Sequence, residues 1–190
     1  MPIFPRTWAE VDLRALIHNI HTIRSHLKPN TLFALVVKAD AYGHGLVPVS
    51  RAAIAGGADW LAVATTQEGI ALREAEISAP ILVLAPVLPL EAKLVVFYDL
   101  RSLVEREETA VALSQEAALQ GKQARIHLKV DTGLSRFGVL PKDACKLAEK
   151  IISLPHIVLE GIATHFADAP HSEEFTHQPF ECFQKVICEL

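Results

Sequence analysis

Short unbroken apolar runs, each followed by a segment of helical period, recur along this chain and constrain its fold more than any other feature. The runs are TLFALVVK (31–38), WLAVA (60–64), ILVLA (81–85), a weaker one at 100–104, RIHLKV (125–130) and HIVLEGIATHF (156–166). A continuous apolar run of this length reads as a strand covered on both faces. Residues 12–27 put Leu13, Leu16, Ile17, Ile20, Ile23 and Leu27 on one stripe behind Asp12, a good N-cap residue. Further helices are predicted at about 47–55, stopped by Gly56 and Gly57, and from Thr66 through Ile77. Others are predicted within 90–98, at 107–119 (closed by Gly121), at 143–152, and in a last helix containing 182–190. Strand and helix alternating about six times imply a parallel sheet with right-handed crossovers.

Two architectures satisfy that order, an open doubly wound sheet and a (β/α)8 barrel. No GxGxxG follows the first run, which counts against a dinucleotide-binding doubly wound sheet. Polar residues collect where strands end, at Lys38, Thr65, Lys129 to Asp131, Thr164 and His165. In a barrel all of those ends converge on one face, where barrel enzymes build their sites. The expected class is therefore α/β, a (β/α)8 TIM-type barrel with about its first six β/α units. Six strands do not close a barrel of eight, and the sequence stops inside a helix, so a fragment is expected. No repeat, low-complexity tract or linker marks a second domain.

Composition narrows the function. The 190 residues are 51% hydrophobic and 21% charged, the profile of one globular domain and not of a disordered chain. A net charge of -4, with no basic stripe, gives nucleic-acid binding little support. Cys145, Cys182 and Cys188 form no CxxC pair and no even set, which suits a reducing, cytoplasmic setting. No secretory signal opens the chain, and APILVLAPVL (79–88) is too short to span a bilayer, so no membrane role is expected. His18 and His21 lack acidic or thiol partners nearby, and no metal site is predicted.

Three stretches carry chemistry. In VVKADAYGHG (36–45), Lys38 sits where an apolar strand meets a glycine-punctuated turn. Partial desolvation favours a neutral, nucleophilic amine able to form an imine with an aldehyde. Tyr42 adds a hydroxyl close by. The alternative is a lysine that only reaches solvent or a carboxylate. In KVDTGLSRFG (129–138), Asp131 and Gly133 suit a tight turn, and Arg136 offers a rigid fork of donors. Lys129 at a buried strand end is costly unless paired, chemically altered or facing an anion. In GIATHF (161–166), His165 could touch a ring ligand or serve as a backbone-bonded structural residue.

Taken in order, TWAEVDLRALIHNI, VVKADAYGHG, KVDTGLSRFG and GIATHFADA resemble the alanine racemase family, from about Thr7 to the last residue. The resemblance implies a pyridoxal 5'-phosphate enzyme that interconverts L- and D-alanine and supplies D-alanine for peptidoglycan. It implies that Lys38 binds the cofactor and is one catalytic base, and that Tyr42 bonds the phosphate. Arg136 would bond the cofactor's phenolic oxygen and lie near the substrate, Lys129 would be carbamylated, and His165 would lie by the ring. Residues 1–11 would be an opening strand packing on a C-terminal β domain that is absent here, with 12–190 the incomplete barrel. In the family that β domain supplies the second base, a tyrosine, across a homodimer interface, so this chain alone is expected to be inactive. A non-enzymatic pyridoxal-phosphate carrier barrel is the alternative, although such proteins lack the AYGHG continuation.

Overall fold

The computed structural model describes residues 7–169 and 171–190. Six parallel strands lie side by side in chain order: β1 (Ala34–Val36), β2 (Trp60–Val63), β3 (Ile81–Val83), β4 (Arg101–Val104), β5 (Ala124–Lys129) and β6 (Ile157–Ala163). A doubly wound sheet reverses its strand order at a switch point, whereas consecutive parallel pairing throughout is how a barrel wall is laid. The sheet is therefore six strands of a barrel wall, with β1 and β6 as its edges.

Helices fill the connections: α1 (Leu13–His26), the short turn α2 (Lys38–Gly43), α3 (Leu46–Ala55), α4 (Thr66–Glu74), α5 (Ala92–Phe97), α6 (Glu107–Leu119), α7 (Pro141–Ser153) and α8 (Glu174–Glu189). Their ends follow the chemistry of the sequence. Asp12 Oδ1 accepts from the N–H groups of Arg14 and Ala15 and caps α1. Gly57, at φ +95°, takes the chain out of α3 in a conformation that other residues resist. Pro141 opens α7, where its missing N–H costs nothing.

Side chains alternate between two environments along each strand. Leu61, Val63, Ile81, Val83, Ile126 and Leu128 lie beneath the helices and are at most 1% exposed. Each such side chain contributes about 1.5–3 kcal/mol relative to exposure. Of their alternates, Trp60, Leu82, Leu84, Arg101 and His127 are only half-buried. The expectation of strands covered on both faces therefore holds fully on the helix side and only in part on the other, where Ala62 and Leu103 are buried. Six strands do not enclose an inner face, and the edges show it: Ala34 and Val36 are exposed and β6 is only half-buried along most of its length.

Near the amino ends of these strands a polar cluster occupies the inner face. Arg101 lies 5.5 Å over the Trp60 ring, Trp60 meets His127 edge-on at 5.7 Å, and His127 Nε2 bonds Glu160 Oε2 at 3.1 Å. On the outer side, Arg73 donates to the carbonyls of Ile77, Ala79, Tyr98 and Asp99, tying α4 to the starts of β3 and β4. Burial holds the Arg73 guanidinium below its ordinary pKa.

Several boundaries differ from expectation. The run 31–38 yields only three ladder residues, because the chain turns away at Val37, and Lys38 begins α2. The helix starting at Thr66 stops at Glu74 rather than Ile77, whereas residues 182–189 lie, as expected, inside a last helix, which begins at Glu174. The described part of the opening segment, residues 7–11, joins no sheet among the described residues. An extended backbone needs an adjacent edge to pair with, and among the described residues the Trp8 side chain bonds Glu10 within its own segment. Residues 1–6 lie outside the described residues.

Candidate active site

The carboxyl ends of β1, β5 and β6 frame one cavity of about 260 Å³. Lys38, Lys129, Arg136 and His165 all line it, with Leu82, Leu84, Leu103, Phe137 and Ala163 as apolar walls. Four of the five residues singled out by sequence therefore meet. They come from three separate stretches of chain, and the parallel register of the strands is what gathers them.

Lys38 opens an unusual turn. Ala39, Asp40, Ala41 and Tyr42 all have φ between +52° and +55°, a left-handed coil of four non-glycine residues. L-residues disfavour that conformation by roughly 1–2 kcal/mol each, so the turn persists because its surroundings over-determine it. Ala41 N–H donates to Val37 O at 2.8 Å and Gly45 N–H to Asp40 O at 2.9 Å. The Asp40 carboxylate accepts from Leu46 N–H at 2.6 Å and starts α3. At the head of the turn, Ala39 N–H donates to Glu68 Oε1 at 2.7 Å.

Lys129 is 4% exposed, yet its Nζ donates to a neutral partner, the Val130 carbonyl, at 3.0 Å. Phe137 lies 6.0 Å from the same nitrogen. Desolvation lowers the Lys129 pKa and the Arg136 charge lowers it further, against the attraction of Asp131 and Glu105. The arginine loop is folded by Asp131, whose Oδ1 accepts from Gly133 and Ser135 N–H, both at 3.0 Å. Burial pushes this carboxyl up, but those N–H groups and Lys129 outweigh it, and its pKa falls below the ordinary 3.8. Gly138, at φ +134°, closes the loop where a Cβ would come within 2.6 Å of Asp131 N.

Across the cavity, Thr164 donates to Val130 O at 3.0 Å and shares a 2.7 Å bond with Thr132, locking β6 to the loop after β5. His165 follows directly. Desolvation and then the charges of Arg136, Lys129 and Lys38 lower its pKa from 6.5, which favours the neutral imidazole. Arg136 stacks at 4.7 Å over Phe137, a residue whose place in the loop gave no sign that its ring would lie near both cations.

Tyr42 is placed elsewhere. It is 62% exposed and lines a separate cavity with Glu10, Asp12, Asn19 and His44, beside the free edge of β1. The left-handed turn carries its side chain toward α1 rather than into the cavity holding Lys38. Among the described residues no His, Cys, Asp or Glu cluster suits a metal ion, and no helix is long and apolar enough to cross a membrane.

A barrel wall with an amine at the end of its first strand, faced by a buried lysine, a guanidinium and an imidazole, has the chemistry to hold an anionic carbonyl compound. The match of residues 11–190 to the family "Alanine racemase, N-terminal domain" places this chain in that family. It is 43% identical over 182 residues to an alanine racemase of Halothermothrix orenii, covering 95% of this chain and 48% of that protein. The crystal structure of an alanine racemase from Bacillus anthracis superposes with a TM-score of 0.90 at 32% identity, over 100% of this chain and 50% of that one. A histidine racemase from Leuconostoc mesenteroides superposes with a TM-score of 0.83 at 26% identity, over 92% and 47%. The chain thus spans about half the length of the relatives it matches.

Proposed function

We propose that the protein containing this chain is a pyridoxal-phosphate-dependent amino-acid racemase acting on alanine, and that this chain supplies its cofactor-binding wall. The observation that carries the proposal is the gathering of Lys38, Lys129, Arg136 and His165 around one cavity. The lining suits the cofactor. Lys38 offers an amine for the aldehyde, the cations of Lys129 and Arg136 suit the phosphate and phenolic oxygens, and Leu82, Leu84 and Ala163 suit a flat ring. A buried Lys129 with only a carbonyl partner is the kind of site that an anion, or conversion of the amine to an anionic carbamate, would relieve.

When bound, pyridoxal phosphate withdraws electrons from the amino-acid α-carbon and makes its proton removable. The residues of this chain would do the rest on one face. Lys38 Nζ holds the cofactor and then accepts or returns the α-proton. Arg136 orients the ring oxygen, and His165, its pKa lowered, adds no further positive charge beside the ring. Resemblance also gives Tyr42 the phosphate contact, which would require its side chain to turn from the α1 side toward the cavity of Lys38. Racemisation needs a base on the opposite face as well, and family resemblance puts it on a tyrosine outside this chain, in a homodimer. A cytoplasmic role in making D-alanine for peptidoglycan follows from the same resemblance and agrees with three free cysteines. Because a histidine racemase shares the fold, the alanine preference rests on the resemblance to alanine racemases and not on the barrel itself.

The test uses the full-length protein with pyridoxal phosphate, borohydride and mass spectrometry. The adduct is expected on Lys38 and is expected to be lost in Lys38→Ala. Alanine-dependent exchange of the α-proton then separates a racemase from a mere carrier of the cofactor. An unmodified Lys38 would overturn the proposal.

A further inference from the structure

We infer that Glu68 is a positioning residue for Lys38, clamping the strained turn that bears it to the end of the neighbouring strand. The inference rests on the assignment of Lys38 as the cofactor lysine. Glu68 is the third residue of α4, and with Thr65 it forms a capping box: Glu68 N–H donates to Thr65 Oγ1 at 3.3 Å, and Thr65 N–H to Glu68 Oε2 at 3.2 Å. A capping box needs one carboxylate oxygen. Oε2 serves it and also accepts from Ala64 N–H at 2.7 Å, while Oε1 leaves the box altogether and takes the Ala39 N–H at 2.7 Å.

That surplus bond falls at a telling place. Ala39 is bonded directly to Lys38 in the chain and is the first of the four residues at positive φ. Its N–H comes ahead of the turn's own first bond, from Ala41 N–H to Val37 O, and Glu68 is what satisfies it. Ala64, held by the other oxygen, lines the Lys38 cavity. One carboxylate thus ties the peptide after Lys38 to the strand end beside it, and fixes where the lysine Cα sits and which way its side chain leaves. A charged acceptor with two bonds near 2.7 Å is among the stronger ties available to a backbone.

A carboxylate can do this and an amide cannot. Glu68→Gln keeps the shape but leaves one acceptor oxygen, so its NH2 must face either the Ala39 or the Ala64 and Thr65 donors. Glu68→Asp keeps the charge but falls one methylene short of spanning both strands. Thr65→Ala removes the hydroxyl half of the box and leaves the Ala39 bond intact, which makes it the control for a purely structural role.

The experiment measures two things in the full-length protein: hydrogen exchange at the Ala39 amide without cofactor, and the equilibrium for pyridoxal phosphate attachment at Lys38, fixed with borohydride and quantified by mass spectrometry. In Glu68→Gln and Glu68→Asp the Ala39 amide is expected to exchange roughly tenfold faster or more, and attachment to weaken by a similar factor. Thr65→Ala is expected to lower thermal stability while leaving both readouts near wild type. Unchanged readouts in the Glu68 variants, or the same losses in Thr65→Ala, would overturn the role of Glu68 alone. A wild-type protein with no adduct at Lys38 would overturn the cofactor assignment and the positioning role together.

Discussion

At Lys129 a full positive charge is buried against a carbonyl, and the penalty has a sign that can be measured. Its folded pKa is lowered from 10.5, so between the folded and unfolded values the unfolded chain binds more protons. Stability then rises with pH through that window, and below it the whole penalty is present. In carbon-dioxide-free buffer, Lys129→Met is expected to stabilise the protein at pH 7 by about 1 kcal/mol or more, shrinking toward zero as the pH nears 10.5. Urea midpoints of the two proteins across that range check it. Added bicarbonate should stabilise only the wild type if the amine is carbamylated. The cost of this lysine was legible in KVDTGLSRFG, because a strand end flanked by apolar residues has little water to offer. The Phe137 contact was not, since nothing along the loop distinguishes a ring that turns inward from one that turns out.

At the scale of elements, the arginine loop depends on one residue without a side chain. A methyl at Gly138 would meet Asp131 N at 2.6 Å, and the φ of +134° is itself unsuited to alanine. Gly138→Ala is expected to cost about 2 kcal/mol or more of stability and to release Arg136 from its stack on Phe137, seen as a lowered thermal midpoint and faster exchange at Gly133 and Ser135. Strands and helices were readable because period and capping are local: Asp12 and Gly57 act where their chemistry puts them, while Pro141 starts α7 two residues ahead of the expected 143. The left-handed α2 was not, since Ala39 to Tyr42 carry no local preference for positive φ and are held there by Glu68, Val37 and the start of α3. A signal for Glu68 does exist in the sequence, in the T-x-x-E spacing of TTQE. It announces a helix start, however, and says nothing of Ala39 in the turn after the neighbouring strand.

For the molecule as a whole, the inner face and two edges are uncovered. β6 is seven residues long and, among the described residues, is an edge with no strand paired along one side. Prepared alone, the 190-residue chain is expected to self-associate at micromolar concentrations in sedimentation experiments and to form no D-alanine above background. A monodisperse monomer with robust turnover would contradict both expectations. Barrel rather than doubly wound sheet was inferable from polar strand ends, but the decisive feature, strand order, is a property of pairing that no single segment encodes. That order has one more consequence. Because each strand lies beside the one synthesised just before it, the sheet can lengthen as the chain leaves the ribosome, every new strand finding its template already laid and none waiting for a distant partner.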